Sequence, residues 1–384
     1  MNTEKVLMKG NDAIAEGAIR AGCQAYFGYP ITPQNEIIAY MAQHMIAKGR
    51  VFIQAESEVA AINMVYGASC AGARAMTSSS SPGISLKQEG ISYAAGADVP
   101  CVIVNVSRGG PGLGSIAPAQ SDYFQATRGG GHGDYYNIVL APKNVQECAD
   151  LTYLAFDLAD QYRMPVMVLI DGMIGQLMEG LVLPREKTME ELPKRSWTVG
   201  RMTETGRASR HITSIHLVPS ELEAKTKARF ERYEAIKKAE VRFEASGCKD
   251  ADIILTAYGT SARVCQEAQK LAAKENIKVG FFRPITLWPF PHEELGRIAL
   301  GSMDAAVTNA LADERTAFVQ AENPQGRGFS APVLCVEMSH GQMVEDVRLS
   351  VLGTVPVHLL GHSGGVIPTE EEVFAEIRKI LGKI

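Results

Sequence analysis

The chain has 384 residues, 46% of them hydrophobic and 21% charged, and a formal net charge of −5. Such a length predicts two domains or three, and the apolar fraction allows large buried cores. A slightly acidic chain with no Lys/Arg cluster argues against nucleic acid as its main partner. No apolar run approaches the roughly 18–20 residues that span a bilayer. Met1-Asn2-Thr3-Glu4-Lys5 also lacks the apolar core of a signal peptide, so the expectation is a cytoplasmic protein without membrane contact.

Residues 1–185 alternate between apolar strand-like runs and amphipathic stretches. Buried strands are predicted at 24–28, 50–54, 74–78, 101–107, 136–141 and 165–170. Between them Val59, Ile62, Tyr66 and Cys70 fall at helical spacing. Strand–helix alternation implies a doubly wound parallel α/β sheet, with its ligand crevice at the carboxyl ends of the strands. Residues 186–250 differ: a polar Arg/Thr/Ser stretch leads into a helix dense in charges of both signs. Ser220 and Glu223 have the spacing of a capping box there. This segment reads as a connector with a solvated helix face. From Ala251 to the end the α/β rhythm resumes as a smaller domain, with strands predicted at 252–258, 278–282, 333–338 and 355–360. Gly259-Thr260-Ser261 is placed to cap the helix after the first of these.

The seven cysteines are Cys23, Cys70, Cys101, Cys148, Cys248, Cys265 and Cys335, with no C-x-x-C pair among them. Zinc and iron–sulfur sites need clustered thiolates, so structural roles in apolar runs are expected for all seven.

Two short segments hold the chemistry. Gly28-Tyr29-Pro30-Ile31-Thr32-Pro33 follows the first strand and presents one hydroxyl on a turn stiffened by two prolines. The plain alternative makes Thr32 a helix N-cap with Pro33 at the first helical position. Gln54-Ala55-Glu56-Ser57-Glu58-Val59-Ala60-Ala61 places carboxylates where a strand hands over to a helix starting near Glu58. Acids in a first helical turn are favourable by themselves. The apolar run after Glu58 also suits a buried carboxylate that shares a proton with a ring nitrogen.

Glycine-bearing loops follow at 78–83, 108–114, 128–133 and 361–365. Arg108 comes directly after a strand, where its guanidinium is either a surface charge or a clamp for a substrate carboxylate. His132 is a proton donor or, as favoured here, a turn residue. Gly112-Leu113-Gly114-Ser115-Ile116-Ala117, with Asp134 some way on, satisfies a dinucleotide fingerprint in letters. Its context is poor, because Pro111 separates it from the strand and Pro118 would break the helix it needs.

As a set, these residues resemble the α subunit of the 2-oxoacid:ferredoxin oxidoreductases. The resemblance is strongest in the runs GYPITPQNE, QAESEVAAINMVYGAS, TSSSSPGISLKQEGISYAAGA, RGGPGLGS, QSDYFQATRGGGHGD and DQYRMPVMVLIDG, all within 8–184. In wording they stand nearest the branched-chain (3-methyl-2-oxobutanoate) members. The later part matches more loosely, through Arg283–Pro291 and Val336–Met343.

The resemblance implies a pyrimidine-binding thiamine diphosphate domain at 1–185, a connector at 186–250 and a transketolase C-terminal-like α/β domain at 251–384. It implies that Glu58 hydrogen-bonds the aminopyrimidine N1′ and so promotes loss of the thiazolium C2 proton, with Tyr29, Pro30 and Ile31 beside the cofactor. It implies that Thr32 contacts a 2-oxoacid and Arg108 its carboxylate. The reaction implied is oxidative decarboxylation with coenzyme A to an acyl-CoA, electrons passing to ferredoxin.

The chain lacks the family's Gly-Asp-Gly…Asn pair and any cluster cysteines. The resemblance therefore places the diphosphate site, Mg²⁺ and a [4Fe-4S] cluster on a β subunit. A ferredoxin-like cluster subunit, a γ subunit and external ferredoxin are the other expected partners. The family's 2-oxoglutarate members often carry a Ser-Thr-Gly after the Arg-Gly-Gly-Pro. Here Gly112-Leu113-Gly114 stands instead, which suits an apolar substrate side chain better than a second carboxylate. Three other readings stay open: a 2-oxoglutarate enzyme, half of a non-oxidative thiamine enzyme, and a non-catalytic scaffold subunit. The segment 301–328 reads as an insertion without an account.

Overall fold

The computed structural model describes residues 4–199, 209–301 and 330–383; residues 302–328 of the apparent insertion lie outside them. In chain order the first half runs β1 (Lys5–Lys9), α1 (Gly10–Arg20), β2 (Ala25–Gly28), α2 (Asn35–Ala47), β3 (Val51–Gln54), α3 (Glu58–Cys70), β4 (Ala75–Ser79) and α4 (Ser81–Gly96). It continues through β5 (Cys101–Ser107), α5 (Tyr123–Thr127), β6 (Ile138–Leu140), α6 (Val145–Tyr162), β7 (Pro165–Asp171), α7 (Gly172–Gln176) and β8 (Met178–Val182). The rest comprises α8 (Pro219–Ala239), β9 (Phe243–Ser246), β10 (Ile253–Thr256), α9 (Gly259–Lys274), β11 (Val279–Pro284), β12 (Thr286–Trp288) and α10 (His292–Ala299). Beyond the undescribed segment come β13 (Val333–Glu337), α11 (Met343–Val351), β14 (Val357–Gly361) and α12 (Glu370–Ile380).

Every strand predicted from an apolar run is a strand, but β3, expected to be buried, is mostly exposed at the edge of its sheet. β5 and β7 are buried along their whole length, as expected of central parallel strands covered on both faces. Seven strands form the large sheet in the order β12-β6-β7-β5-β4-β2-β3. All its pairings are parallel except that of β12 with β6. Helices α1, α2 and α6 pack together as one layer, and α3 with α4 as the other. The chain thus leaves β2 toward one face and β4 toward the opposite face. That divergence between neighbouring strands opens a crevice at their carboxyl ends.

A five-stranded sheet, β14-β13-β10-β11-β9, holds a second core. It has parallel pairings except for β9 at its edge. β1 and β8 form a separate antiparallel pair. Sequence periodicity missed β1, β8, β9 and β12. β12 has only three residues and is held in the large sheet by partners far away in sequence, so no local pattern marks it.

Four local readings are corrected. α2 begins at Asn35 with Gln34 at its N-cap position, so Thr32 lies in the turn before the helix and does not cap it. α8 begins at Pro219, which puts Ser220 inside the first turn, and no side chain caps it. α8 is also not solvated all round: Arg229, Tyr233 and Ile236 form a buried stripe, and Tyr233 packs edge-on against Trp288. Finally, Gly259-Thr260-Ser261 does not cap its own helix. The carboxylate of Asp171 at the end of β7 does so, accepting from Thr260 N at 2.9 Å and Thr260 Oγ1 at 2.6 Å.

Candidate active site

The carboxyl ends of β2, β3, β4 and β5 bring the predicted residues to one edge of the large sheet. Glu58 opens α3, which packs on β2 and β4. Ser57 fixes where that helix starts, since its hydroxyl accepts from Ala60 N at 3.1 Å. Glu58 is only 7% exposed. A side chain added at Gly83, in the first turn of α4, would meet Glu58 Oε1 at 2.8 Å and Ser79 Oγ at 2.1 Å. Glycine at 83 is therefore what lets the carboxylate lie against the start of α4.

Arg108 extends from the end of β5 and is 7% exposed. Its Nη1 donates to Thr32 O at 2.8 Å and its Nη2 to Leu113 O at 3.1 Å. These two bonds tie the turn after β2 to the loop after β5. They use two of the guanidinium's five N–H groups, and the buried Nε has no partner. Thr32 is exposed at this junction, as are Tyr29 and Pro30, while Ile31 is half-buried. Gln34 braces the turn, donating to Tyr29 O at 3.2 Å and accepting from Ser78 Oγ at 2.5 Å. Ser81 joins the two halves of the edge: its hydroxyl accepts from Arg108 N at 3.0 Å and donates to Asp122 at 2.6 Å. Thr32, Arg108, Ser81, Gly83 and Glu58 so form one contiguous rim.

The other glycine loops have separate places. Residues 109–117 form an irregular loop closed by Gly109 N to Ala117 O at 2.9 Å and Ser115 N to Gly109 O at 2.7 Å. No helix follows its glycines, so the letters of the dinucleotide fingerprint have no phosphate-cradling helix to serve. The loop 361–365 backs it, with Gly364 against Gly109 and Gly365 against Ala117. His132 is exposed in a turn whose neighbour Gly131 packs on Gln88 and Ser92. All seven cysteines are buried and unpaired.

Sequence reasoning missed three polar side chains here. Ser79 Oγ, beside Glu58 and Gly83, and Ser80 Oγ next in the chain are buried without partners. Lys87 is fully buried, and burial pulls its amine down to about 7. The available signal was a lone lysine on a helix face otherwise made of Gly83 and Gly90, inside the run TSSSSPGISLKQEG.

In a water-poor crevice a buried carboxylate can hydrogen-bond a protonated or protonatable ring nitrogen. A guanidinium with free donors can hold a carboxylate. These are the groups a thiamine enzyme requires at its pyrimidine and substrate ends. Among the described residues no cluster of three or more His, Cys, Asp or Glu could hold a metal ion, and no helix is long and apolar enough to cross a membrane.

Comparison with known proteins agrees with this geometry. Residues 16–245 match the family described as pyruvate flavodoxin/ferredoxin oxidoreductase, thiamine diphosphate-binding, and residues 251–317 match pyruvate:ferredoxin oxidoreductase core domain II. The ketoisovalerate oxidoreductase subunit VorB of Methanothermobacter marburgensis is 46% identical over 98% of both chains. The 2-oxoglutarate synthase subunit KorA of Methanothermobacter thermautotrophicus is 36% identical over 98% of this chain and 99% of its own. Among solved structures, the 2-oxoglutarate:ferredoxin oxidoreductase of Magnetococcus marinus, with 2-oxoglutarate, coenzyme A and succinyl-CoA bound, superimposes with a TM-score of 0.81 at 26% identity. That match takes in 98% of this chain, which spans 65% of the other's length. A split-gene transketolase, an inactive β4 tetramer, shares the fold at a TM-score of 0.55, 13% identity and 97% coverage of both chains.

The molecule is thus an α/β protein whose first part matches a thiamine diphosphate-binding family and whose fold is shared with a split-gene transketolase. More narrowly, the chain belongs to the 2-oxoacid:ferredoxin oxidoreductase family.

Proposed function

We propose that this chain is the pyrimidine-binding catalytic subunit of a ferredoxin-linked oxidoreductase acting on a branched-chain 2-oxoacid such as 3-methyl-2-oxobutanoate. The reaction joins the 2-oxoacid and coenzyme A into an acyl-CoA, releases CO₂ and passes two electrons to ferredoxin. The observation that carries the reading is the Glu58 carboxylate, buried at the head of α3 and pressed against Gly83.

Bound thiamine diphosphate supplies the carbon nucleophile and electron sink for decarboxylation. Glu58 holds and exchanges a proton at the aminopyrimidine N1′, with Tyr29, Pro30 and Ile31 lining that end of the crevice. Arg108 orients the oxoacid through its carboxylate, using the donors not committed to Thr32 O and Leu113 O, while the Thr32 hydroxyl faces the oxo group. The division at 185 and 250 into pyrimidine-binding domain, connector and transketolase-like domain belongs to the same proposal.

The substrate preference has two supports. Identity is higher to the ketoisovalerate subunit than to the 2-oxoglutarate subunit. The loop from Gly109 to Pro118 also has no ionisable residue and exposes Leu113 and Ile116. A second substrate carboxylate would find no counter-charge there. Partner subunits complete the site: a β subunit for the diphosphate, Mg²⁺ and a cluster, and a ferredoxin-like subunit, with a γ subunit beside them. The relatives' designation as subunits supports this.

Two measurements test the reading. The chain alone should bind thiamine diphosphate weakly or not at all by titration calorimetry, and micromolar binding without a partner would refute the split site. The assembled enzyme should turn over 3-methyl-2-oxobutanoate with a higher kcat/KM than 2-oxoglutarate; the reverse order would reassign the substrate.

A further inference from the structure

The glycine loop at the end of β14 takes no part in the proposed chemistry, yet it touches the loop that follows Arg108. Its chain reverses over Ser363–Val366, closed by Val366 N donating to Ser363 O at 3.2 Å. The two central residues, Gly364 and Gly365, have φ of +68° and +104°, which glycine adopts at little cost. The turn is tied to its own sheet. His362 N donates to Glu337 O at 3.1 Å, and the Ser363 hydroxyl bonds His340 Nε2 at 2.9 Å.

On its other side the turn lies on the neck of loop 109–117. That neck is the bond from Gly109 N to Ala117 O at 2.9 Å, next to a bridge between Arg108 and Pro118. A Cβ added at Gly109 would meet Gly364 C at 3.2 Å, and one added at Gly365 would overlap Ala117 Cβ. The neck needs such a brace, because Gly109, Gly110, Gly112 and Gly114 leave the loop few restraints of its own. Its tip nonetheless bends back so that Leu113 O accepts from Arg108 Nη2 at 3.1 Å, which fixes one end of the guanidinium fork. Thr32 O fixes the other end. A neck that slipped would carry Leu113 O with it and turn the fork away from an incoming carboxylate.

We propose that the Gly364–Gly365 turn is a positioning element for Arg108: it clamps the neck of the loop and so sets how well the 2-oxoacid carboxylate is held. The proposal rests on the reading of Arg108 given above and extends it to what keeps Arg108 in place. It gives the smaller sheet a part in substrate binding, although none of the candidate site residues lies on that sheet.

Steady-state kinetics of the assembled enzyme test the clamp. Gly365→Ala drives a methyl group into Ala117 and should raise the KM for the 2-oxoacid about tenfold, with kcat and thiamine diphosphate affinity little changed. Adding Ala117→Gly removes the overlap, leaves the residue 117 Cα at an ordinary 3.4 Å, and should bring KM most of the way back. Gly364→Ala places its methyl in open space, so it carries backbone strain alone and should give a clearly smaller rise. Equal rises in the two glycine variants, or a rise that Ala117→Gly does not relieve, overturn the proposal. A second readout needs no substrate and no strained variant. Ser363→Ala is an exposed change that unties the turn from His340, and in the full chain it should speed amide hydrogen exchange across 109–117 severalfold. Unchanged exchange there refutes the clamp, and this arm decides by itself should Gly365→Ala fail to fold. The two readings also fail separately. Faster exchange with a KM that Arg108→Ala leaves unmoved removes the carboxylate role and keeps the clamp. A KM that answers to Arg108→Ala and not to Gly365→Ala removes the clamp alone.

Discussion

Two parts of this molecule bury polar side chains, and they treat them in opposite ways. In the seam between the two sheets nearly every such group is matched. Gln120 donates to Tyr258 O at 2.8 Å, while its Oε1 accepts from Met338 N at 3.0 Å and Ser261 Oγ at 3.1 Å. Asp346 takes Tyr123 Oη at 2.5 Å and Arg128 at 2.9 Å. At the crevice, Ser79 Oγ, Ser80 Oγ and Arg108 Nε are buried without partners. Matched groups hold a fold together, whereas an unmatched buried group costs free energy unless something else binds it. The seam is thus architecture, and the crevice edge fits the half-site proposed above.

That contrast can be broken at either end. The largest effect is expected at Glu58. Glu58→Gln in the assembled enzyme should slow hydrogen–deuterium exchange at the thiazolium C2 by roughly 10²–10⁴-fold, the usual reach of acid–base catalysis, with thermal stability little changed. Unchanged exchange would move Glu58 into the architectural class.

Gln120→Ala should do the reverse. It strands Met338 N and Ser261 Oγ, while Tyr258 O keeps its bond from Ala262 N, for a loss of about 2–3 kcal/mol measured by denaturant unfolding, since each stranded buried group costs on the order of 1–3 kcal/mol before relaxation. C2 exchange in the surviving folded enzyme should match the wild type; a slowed exchange at full stability would blur the distinction.

Arg108 belongs to both regions, because it ties Thr32 O to Leu113 O and still has free donors. Arg108→Ala should raise the KM for the 2-oxoacid roughly 10–100-fold, corresponding to a charge-assisted hydrogen bond of about 1.5–3 kcal/mol. Cofactor affinity should be spared, and an unaltered KM would confine Arg108 to loop bracing. The smallest change is expected for Tyr123→Phe, which removes one bond to Asp346 and leaves Arg128 in place. A stability loss of about 1 kcal/mol with normal kinetics is the expected outcome. A kinetic defect there would show that the seam transmits to the site.

Much of the site is readable from the chain's letters because its pieces are local. Ser57 caps α3 and thereby fixes Glu58 at a helix head. Arg108 directly follows a buried strand, and Thr32 sits in a turn set by Pro30 and Pro33. The turn was harder to read in detail. Thr32 and Pro33 have the pattern of an N-cap and a first helical residue, yet the helix waits until Asn35 because Gln34 is drawn to Ser78 on β4. Lys87 escaped notice for a related reason. A lysine among small residues looks like a solvated position until β4 and α3 close over it.

By itself, the sequence determined the parallel strands of the large sheet and placed Glu58 where a strand hands over to a helix. Period-two and period-3.6 apolar patterns and capping side chains act over a few residues, so they survive in the linear text. Only the tertiary structure decided that Glu58 meets Gly83, that Asp171 caps a helix some ninety positions along the chain, and that β12 joins the large sheet. Those contacts join groups far apart in sequence, and their energies arise from burial, which exists only once the two sheets and their helices have closed around them.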